Sequence, residues 1–226
     1  MKYFFTDKFE GVSQGAYDSF NLALHVGDEP SFVVQNRAIL SEKIGTENLI
    51  FMDQVHKDYV EIIKDKKQKI ALQSDAMVTN LNDVALCVMV ADCIPILFCD
   101  KIKNVIGVAH AGRSGVLLKI ANKTMQTMID EFFCDISDIQ VYMGPSIRSC
   151  CYEVREDAIK GYEGYMSIKD EKIFLDINRK CIDDMLDFGV IKENIEISST
   201  CTCCNDSYFS YRRDGTTGRF CGVISL

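Results

Sequence analysis

Short runs of wholly apolar residues occupy the middle of the chain and predict strands that are buried on both faces. Three of them follow one another between Val84 and Gly115. The first ends at Ala91, the second covers Ile94 to Cys99, and the third ends at His110. Continuous apolar strands are typical of sheets that are covered on both sides. We therefore expect this stretch to form the centre of a covered sheet.

In other segments, the apolar residues recur at the spacing of a helix. Asp28 and Pro30 predict the start of a helix that runs to about Lys43 and stops at Gly45. Further helices are predicted over residues 116–132, 156–162 and 177–188, and further strands over residues 1–9, 49–52, 59–63, 74–80, 139–143, 195–198 and 219–226. Strands outnumber helices, and the helices fall between groups of strands. This order favours an α+β (mixed α/β) chain with mixed sheets covered by helices.

The composition favours one domain over residues 1–226. The chain is 47% hydrophobic with only three prolines, and no linker or internal repeat divides it. Its 25 basic residues against 33 acidic ones give a net charge of −8, which argues against sequence-independent nucleic-acid binding. No apolar run approaches the roughly 20 residues of a membrane span, so no membrane association is predicted.

The N-terminal segment and the cysteines bear on the cellular location of the protein. The first eleven residues, MKYFFTDKFEG, become acidic too soon for a signal peptide. Eleven cysteines, an odd number, are scattered through apolar segments and do not show the spacings of a disulfide framework. We therefore expect a cytoplasmic protein whose thiols are mostly reduced.

The chain has three histidines, and each follows an apolar segment. His56 and His110, together with Cys93, would supply two imidazoles and a thiolate, a set that suits Zn²⁺ in a catalytic site with an open fourth position. Long separations in sequence make this grouping depend on the fold. A competing interpretation pairs Cys93 as nucleophile with His110 as base, as in a cysteine hydrolase. The third histidine, His25, is a further candidate site residue.

Other candidates involve anion binding and thiols. The helix predicted after Gly112–Gly115 would point its N-terminal amides toward His110 and offer an anion site. Arg212 and Arg213 could bind phosphate or carboxylate, or form a surface salt bridge in a hairpin. The cluster Cys201-Thr-Cys-Cys lacks a second pair at zinc-ribbon spacing, although Cys150–Cys151 could approach it in space. We interpret these cysteines as core thiols or as thiols that support a metal site.

Eight motifs distributed over nearly the whole chain resemble one known family. They are Asn21–Asp28 (NLALHVGD), Gln54–His56 (QVH), Ser74–Thr79 (SDAMVT), Ala91–Pro95 (ADCIP), Val108–Gly112 (VAHAG), Gly144–Val154 (GPSIRSCCYEV), Ser210–Gly215 (SYRRDG) and Thr217–Arg219 (TGR). The family is YfiH/YlmD, whose members carry the names laccase-domain protein, polyphenol oxidase and, later, purine nucleoside phosphorylase.

The resemblance implies a fold and an activity. The fold is a layered α/β/β/α arrangement with mixed sheets, shared with a bacterial deamidating toxin that uses a Cys-His pair. The activity is phosphorolysis of adenosine, inosine and S-methyl-5′-thioadenosine, with some adenosine deamination. The implied zinc ligands, which are also the implied catalytic residues, are His56, Cys93 and His110.

Roles for further residues follow from their positions in the matched motifs. Asp92 could shuttle a proton, and His25 could hydrogen-bond the ribose or the base. Arg212 and Arg213 could hold the phosphate. The expected ligands are thus purine nucleosides and phosphate, and the protein is expected to be a monomer or a homodimer.

One departure from the family and three alternative functions remain. Relatives commonly carry Trp-Arg-Gly after His-Ala-Gly, whereas this chain has Arg113-Ser114-Gly115 and no Trp, so a substrate contact by that Trp is in doubt. Three histidines are too few for a multicopper oxidase of the usual type, but copper in the His₂Cys site, with polyphenol oxidase activity, stays open. A cysteine hydrolase or a non-catalytic metal-stabilised binding protein also stays open.

Overall fold

The computed structural model describes residues 1–226, which form fourteen strands and five α-helices. The strands are β1 (Lys2–Phe5), β2 (Leu49–Met52), β3 (Val60–Ile62), β4 (Ile70–Ala71), β5 (Ala76–Thr79), β6 (Ala85–Val90), β7 (Ile94–Asp100), β8 (Val105–Ala111), β9 (Ile139–Met143), β10 (Glu153–Val154), β11 (Met166–Lys169), β12 (Lys172–Leu175), β13 (Ile195–Ile197) and β14 (Phe220–Ser225). The helices are α1 (Pro30–Ile44), α2 (Arg113–Leu117), α3 (Ile120–Phe132), α4 (Ile177–Phe188) and α5 (Tyr211–Asp214). None of these helices has the length and apolar character that crossing a membrane requires.

A six-stranded mixed sheet contains the second and third apolar runs from the middle of the chain as β7 and β8, whereas the first run, β6, lies in the other large sheet and not beside them as expected. Its strand order is β13-β9-β7-β8-β5-β3, with β13 and β3 each parallel to one neighbour. The strands β7 and β8 pair antiparallel, so that Pro95 lies opposite His110. All residues of β6, β7 and β8 are buried, which explains why these strands are apolar except at Asp100 and His110 near the ends of β7 and β8.

A five-stranded mixed sheet packs face to face against the first. Its order is β1-β14-β6-β2-β4, and its inner face contacts β7 and β8 through a core that includes Leu86, Leu97 and Phe220. Helix α1 covers its outer face, where Leu40 packs in a second core. Helices α3 and α4 cover the outer face of the six-stranded sheet, where Met125 lies. The layers are therefore helix, sheet, sheet, helix, and the predicted fold class is confirmed.

Helix α1 begins and ends where the start and stop residues of the sequence predict. Pro30 occupies its first position, where the missing N–H costs nothing, and Gly45 closes it in the left-handed conformation at φ 93°. Asp28 supports this start from one residue further out. Its carboxylate accepts hydrogen bonds from the backbone N–H of Glu29 and from the side chains of Ser13 and Asn21.

The prediction of one continuous helix over residues 116–132 is wrong. The chain forms the short helix α2 first, turns at Lys119 in the left-handed conformation (φ 57°), and only then begins α3. Gly115 shows the cause, because a Cβ there would lie 3.1 Å from the carbonyl oxygen of His110. Close packing of this turn against the end of β8 thus overrides the helical periodicity, and the helix that begins directly after Gly112 is the five-residue α2 and not the long α3.

Two smaller predictions also differ from the structure. The segment 156–162 forms only a short 3₁₀ turn at Glu156–Ala158 rather than a helix. Arg212 and Arg213 lie in the single turn of α5, which Ser210 caps by accepting from the backbone N–H of Arg213, and not in a hairpin. Side-chain hydrogen bonding by Ser210 is the local reason for this turn.

Candidate metal centre and its cavity

Three ligand-type side chains meet at one edge of the six-stranded sheet. His56 follows β2, Cys93 lies between β6 and β7, and His110 lies near the end of β8. The Sγ atom of Cys93 is 4.0 Å from Nε2 of His56, and the two imidazole centroids are 4.6 Å apart at 82°. One donor atom from each residue lies within 4.8 Å of the other two. The fold therefore brings together residues that the sequence separates widely.

The buried carboxylate of Asp75 fixes both histidines. It accepts hydrogen bonds from the backbone N–H groups of Val55, His56 and Lys57 at 3.2, 3.0 and 2.7 Å. These bonds hold His56 in the left-handed conformation at φ 60°, which costs free energy for a residue with a side chain. The same carboxylate lies 2.8 Å from Nδ1 of His110. The Nδ1–H of His110 therefore donates to Asp75, which leaves Nε2 available as a ligand.

Charges in this cluster stabilise a thiolate beside a protonated imidazole. Burial raises the pKa of the Cys93 thiol, but the charge and hydrogen bonds of His110 and His56 outweigh it and leave this pKa below the ordinary value. Burial lowers the pKa of His110, but the Cys93 thiolate and the hydrogen bond to Asp75 outweigh it and leave this pKa raised. Without a metal, both shifts favour a thiolate on Cys93 beside a protonated His110.

The donor set fits a single metal ion. Zinc binds histidine nitrogen at about 2.0–2.1 Å and cysteine sulfur at about 2.3 Å, so donor atoms around one ion lie roughly 3.5 Å apart. The Cys93–His56 separation is close to this value. The Asp75–His110 pair also matches the carboxylate–histidine arrangement that commonly orients a metal ligand. Three protein donors leave a fourth coordination position for a water or a substrate atom.

Gly112 makes room for two of these ligands. A Cβ at this position would lie 2.9 Å from Sγ of Cys93 and 3.2 Å from Cδ2 of His56. The backbone of Gly112 is extended, so the requirement for glycine is steric and not conformational. The next residue, Arg113, donates to the carbonyl oxygen of Ala158 and does not line the cavity.

The three ligands open into a cavity of about 300 Å³. Its lining also includes His25, Gln54, Met89, Val90, Ala91, Tyr211 and Arg219. The Nη1 atom of Arg219 donates to the carbonyl oxygens of Thr217 and Gly218, whereas its Nε and Nη2 make no hydrogen bond to the protein. A partly apolar cavity with a few convergent polar groups is typical of a small-molecule site.

His25 faces this cavity as a neutral imidazole. Burial and the neighbouring charge of Arg219 keep the pKa of His25 below its ordinary value, although Asp53 opposes the shift. Gln54 is engaged with the protein, because its amide group exchanges two hydrogen bonds with the backbone of Met89 at 2.8 and 3.0 Å. His25 is thus available to a ligand, whereas Gln54 shapes the wall.

Asp92 and the two expected phosphate-binding arginines lie outside the cavity lining. Asp92 accepts hydrogen bonds from the hydroxyls of Thr202 and Ser210 and from the backbone N–H of Arg212. The guanidinium of Arg212 donates to the carbonyl oxygens of Cys151 and Glu153.

Arg213 is similarly engaged. It donates to the carbonyl oxygens of Thr202, Asn205 and Tyr208 and pairs with the carboxylate of Asp214. The structure therefore brings His25, His56, Cys93 and His110 together. It does not bring Asp92, Arg212 or Arg213 into the same space.

Two residues of the site, Asp75 and Arg219, were not predicted from the sequence as site residues. Asp75 is a carboxylate at the start of an apolar strand, where an uncompensated charge would be costly, and that position hints at a partner. Arg219 ends the matched TGR motif and directly precedes the last strand, β14. Its place in the cavity depends on β14 lying beside β6, a long-range pairing that a single sequence does not reveal.

Comparisons with known proteins give the family. A family model described as multi-copper polyphenol oxidoreductase laccase matches residues 2–226. The crystal structure of YlmD from Geobacillus stearothermophilus superposes with a TM-score of 0.93 at 30% identity, covering 99% of this chain and 90% of that chain. The Bacillus licheniformis hypothetical protein YfiH gives a TM-score of 0.94 at 30% identity, with 99% and 92% covered. The chain belongs to the YlmD/YfiH family.

Curated members of the YlmD/YfiH family supply a functional name. A purine nucleoside phosphorylase of Corynebacterium glutamicum is 37% identical over 231 residues, covering 98% of this chain and 93% of the relative. The purine nucleoside phosphorylase YlmD of Bacillus subtilis is 31% identical over 242 residues, covering 98% and 87%. The resemblance read from the eight motifs is confirmed. The description of the matching family model refers to copper and laccase, whereas these two relatives are named as purine nucleoside phosphorylases.

Proposed function

We propose that this YlmD/YfiH chain is a zinc-dependent purine nucleoside phosphorylase whose single catalytic domain spans residues 1–226. It would act on adenosine, inosine and S-methyl-5′-thioadenosine and also deaminate adenosine. The observation that carries the proposal is the convergence of His56, Cys93 and His110, oriented by Asp75, on a cavity that also holds the free edge of Arg219. The names of the curated relatives support it.

Arg219 is the best-placed phosphate ligand in this proposal. Its Nε and Nη2 are free, and a guanidinium edge binds a phosphate through two parallel hydrogen bonds. Arg212 and Arg213 would act on the site indirectly, because their donors hold the segments around residues 151–153 and 202–208. Asp92 would likewise position the loop before α5 rather than shuttle a proton, since both its oxygens accept hydrogen bonds.

In phosphorolysis, Arg219 and His25 would bind the two substrates. An oxygen of hydrogen phosphate held by Arg219 attacks C1′ of the ribose, the C1′–N9 bond breaks, and the electron pair leaves with the purine. The proton of the hydrogen phosphate ends on the released base, so that atoms and charge balance. Neutral His25 accepts a hydrogen bond from a ribose hydroxyl and orients the sugar. A zinc ion held by His56, Cys93 and His110 supplies Lewis-acid polarisation and water activation.

Deamination would use the same cavity with a different co-substrate. Water adds at C6 of adenosine and ammonia leaves, giving inosine. The reaction needs no phosphate, so the phosphate-binding role of Arg219 does not enter it. This difference separates the two proposed activities in an assay.

The test follows the products of adenosine by chromatography, with and without phosphate. We expect adenine and ribose 1-phosphate only with phosphate, and inosine under both conditions. Cys93→Ala should remove both activities, whereas Cys99→Ala, at the other end of β7, should keep them. Equal turnover by wild type and Cys93→Ala would reject the proposed site.

Arg219→Lys separates phosphate binding from the rest of the site. Lys keeps the charge but lacks the fork geometry, so the KM for phosphate should rise by about tenfold, in line with the loss of one charge-assisted hydrogen bond. Phosphate-independent inosine formation should stay within about twofold. An unchanged KM for phosphate would contradict the assignment of Arg219.

The polarised Cys93–His110 pair favours one second candidate, a cysteine hydrolase or deamidase. The lowered pKa of Cys93 is what a cysteine nucleophile needs. This candidate predicts activity that survives removal of metal and is lost on alkylation of Cys93. The proposed phosphorylase loses activity when the metal is removed, so one chelation experiment distinguishes the two. Copper in the same three-ligand site would instead give oxidation of phenols by oxygen, which oxygen uptake measures.

A further inference from the structure

Four cysteine thiols form a second cluster, which does not line the cavity. Cys150 and Cys151 follow β9, and Cys201 and Cys204 follow β13. The Sγ atom of Cys204 is 3.7 Å from that of Cys150 and 3.2 Å from that of Cys151. All four Sγ atoms lie within 4.8 Å of one another. Two separate segments of the chain thus direct four soft donors at one point.

The backbone holds these two segments together. Thr202 donates its N–H to the carbonyl oxygen of Ser146 at 3.2 Å, and Cys201 forms a bridge with Ser146. Tight turns then orient the thiols on each side. Asn205 donates to the carbonyl oxygen of Cys201 at 3.1 Å, and Cys151 donates to that of Arg148 at 2.9 Å. The cluster is therefore built by main-chain geometry and does not depend on flexible side chains alone.

The turn after β13 has the features of a thiolate ligand loop. Cys201 and Cys204 have the C-x-x-C spacing common in structural zinc sites. On the other side, the guanidinium of Arg148 donates to the carbonyl oxygen of Ser198, and its buried Nε has no hydrogen-bond partner. A cation with an unused donor thus lies two residues before Cys150.

The distances and exposures favour a metal ion over the alternatives. Sulfur atoms around one zinc lie roughly 3.8 Å apart, since each Zn–S bond is about 2.3 Å. A disulfide needs one pair at about 2.05 Å and would leave two thiols unused. Cys150 and Cys204 are exposed, so they do not serve as core filling. Four sulfur donors in a tetrahedral arrangement suit Zn²⁺.

We propose that Cys150, Cys151, Cys201 and Cys204 bind one zinc ion, separate from the ion at His56, Cys93 and His110. Each thiol loses its proton to solvent on binding, and no oxidant is required. The ion joins two segments that both contact Asp92. Ile147 donates to its carbonyl oxygen at 2.8 Å, and Thr202 donates to its carboxylate at 2.7 Å. The second ion therefore supports the residue that precedes Cys93.

The test counts metal ions in purified variants by elemental analysis. Wild type should hold two zinc ions per chain, Cys204→Ser and Cys201→Ser one, and His110→Ala also one. Cys203→Ser is the matched control, because this thiol lies in the same turn but outside the group of four sulfur atoms, and it should hold two. The variant His110→Ala/Cys204→Ser should hold none.

X-ray absorption on the zinc of His110→Ala decides the ligands even if the cysteine variants fail to fold. Four sulfur neighbours at about 2.3 Å would support the site, and a mixed nitrogen–sulfur shell would overturn it. One ion per chain in zinc-replete wild type, lost in His110→Ala, would also overturn it. So would a disulfide between Cys151 and Cys204 found by mass spectrometry in freshly prepared protein. None of these readouts depends on nucleoside turnover.

Discussion

At the scale of single residues, Asp75 organises the candidate centre. Its one carboxylate receives three backbone N–H groups from the His56 loop and faces Nδ1 of His110. These bonds keep the pKa of Asp75 below its ordinary value although burial raises it. The sequence predicted the ligands His56, Cys93 and His110 from their residue types at strand ends. It did not predict Asp75, because the partners of a buried carboxylate become visible only when the strands are assembled.

Asp75→Asn tests this organising role. An amide is neutral and cannot accept as strongly from His110, so zinc affinity should fall by about 10- to 100-fold, the usual cost of removing such a supporting partner. Competition with a chelator measures this affinity. Asp100→Asn is the control, because Asp100 is equally buried but lies at the far end of β7, where it accepts hydrogen bonds from the backbone N–H groups of Ile102 and Lys103. Unchanged zinc affinity in Asp75→Asn would contradict the role.

The pKa of Cys93 gives a pH-dependent prediction for the metal-free protein. Because this pKa lies below that of an ordinary thiol, the reactive thiolate persists to lower pH. Alkylation of Cys93, followed peptide by peptide with mass spectrometry, should therefore reach half its maximal rate at a pH well below that of a free cysteine. His110→Ala removes the stabilising charge and should move this midpoint upward. A midpoint that does not move would show that His110 does not stabilise the thiolate.

At the scale of elements, the strands were easier to predict than the turns between them. β6, β7 and β8 are buried on both faces, so their sequences are apolar apart from Asp100 and His110 near the ends of β7 and β8. The break between α2 and α3 escaped prediction because the helical spacing continues through it. What sets the break is the contact of Gly115 with the end of β8, which is a tertiary effect. The sequence raised the approach of Cys150–Cys151 to the Cys201 turn but could not decide it, since the approach needs β9 and β13 side by side.

Gly112→Ala tests the turn that follows β8. A Cβ would press on Cys93 and His56, so bound metal and phosphorolysis should fall more than tenfold, and the free energy of unfolding should fall by about 1–3 kcal/mol. Gly164→Ala is the matched control, because a Cβ there meets nothing within 4 Å and its backbone is not left-handed. Full metal content and activity in Gly112→Ala would show that the close approach is not essential.

At the scale of the whole molecule, the two packed sheets bring distant parts of the chain to one cavity. His56 comes from the loop after β2 in the five-stranded sheet, His110 from β8 in the six-stranded sheet, and Arg219 from the residue before β14. The layered fold was predicted from the resemblance, and the ligands from their chemistry. The choice of Arg219 over Arg212 and Arg213 required the structure, because only contacts show which guanidinium groups are already engaged.

Metal dependence of phosphorolysis tests the central claim most directly. Purified protein is assayed for ribose 1-phosphate from inosine and phosphate before chelation, after chelation, and after zinc is returned. His110→Ala, treated identically, is the control for metal bound elsewhere. The account predicts that turnover disappears on chelation, returns with zinc in wild type, and stays absent in His110→Ala. Turnover that persists in fully metal-free protein would contradict it.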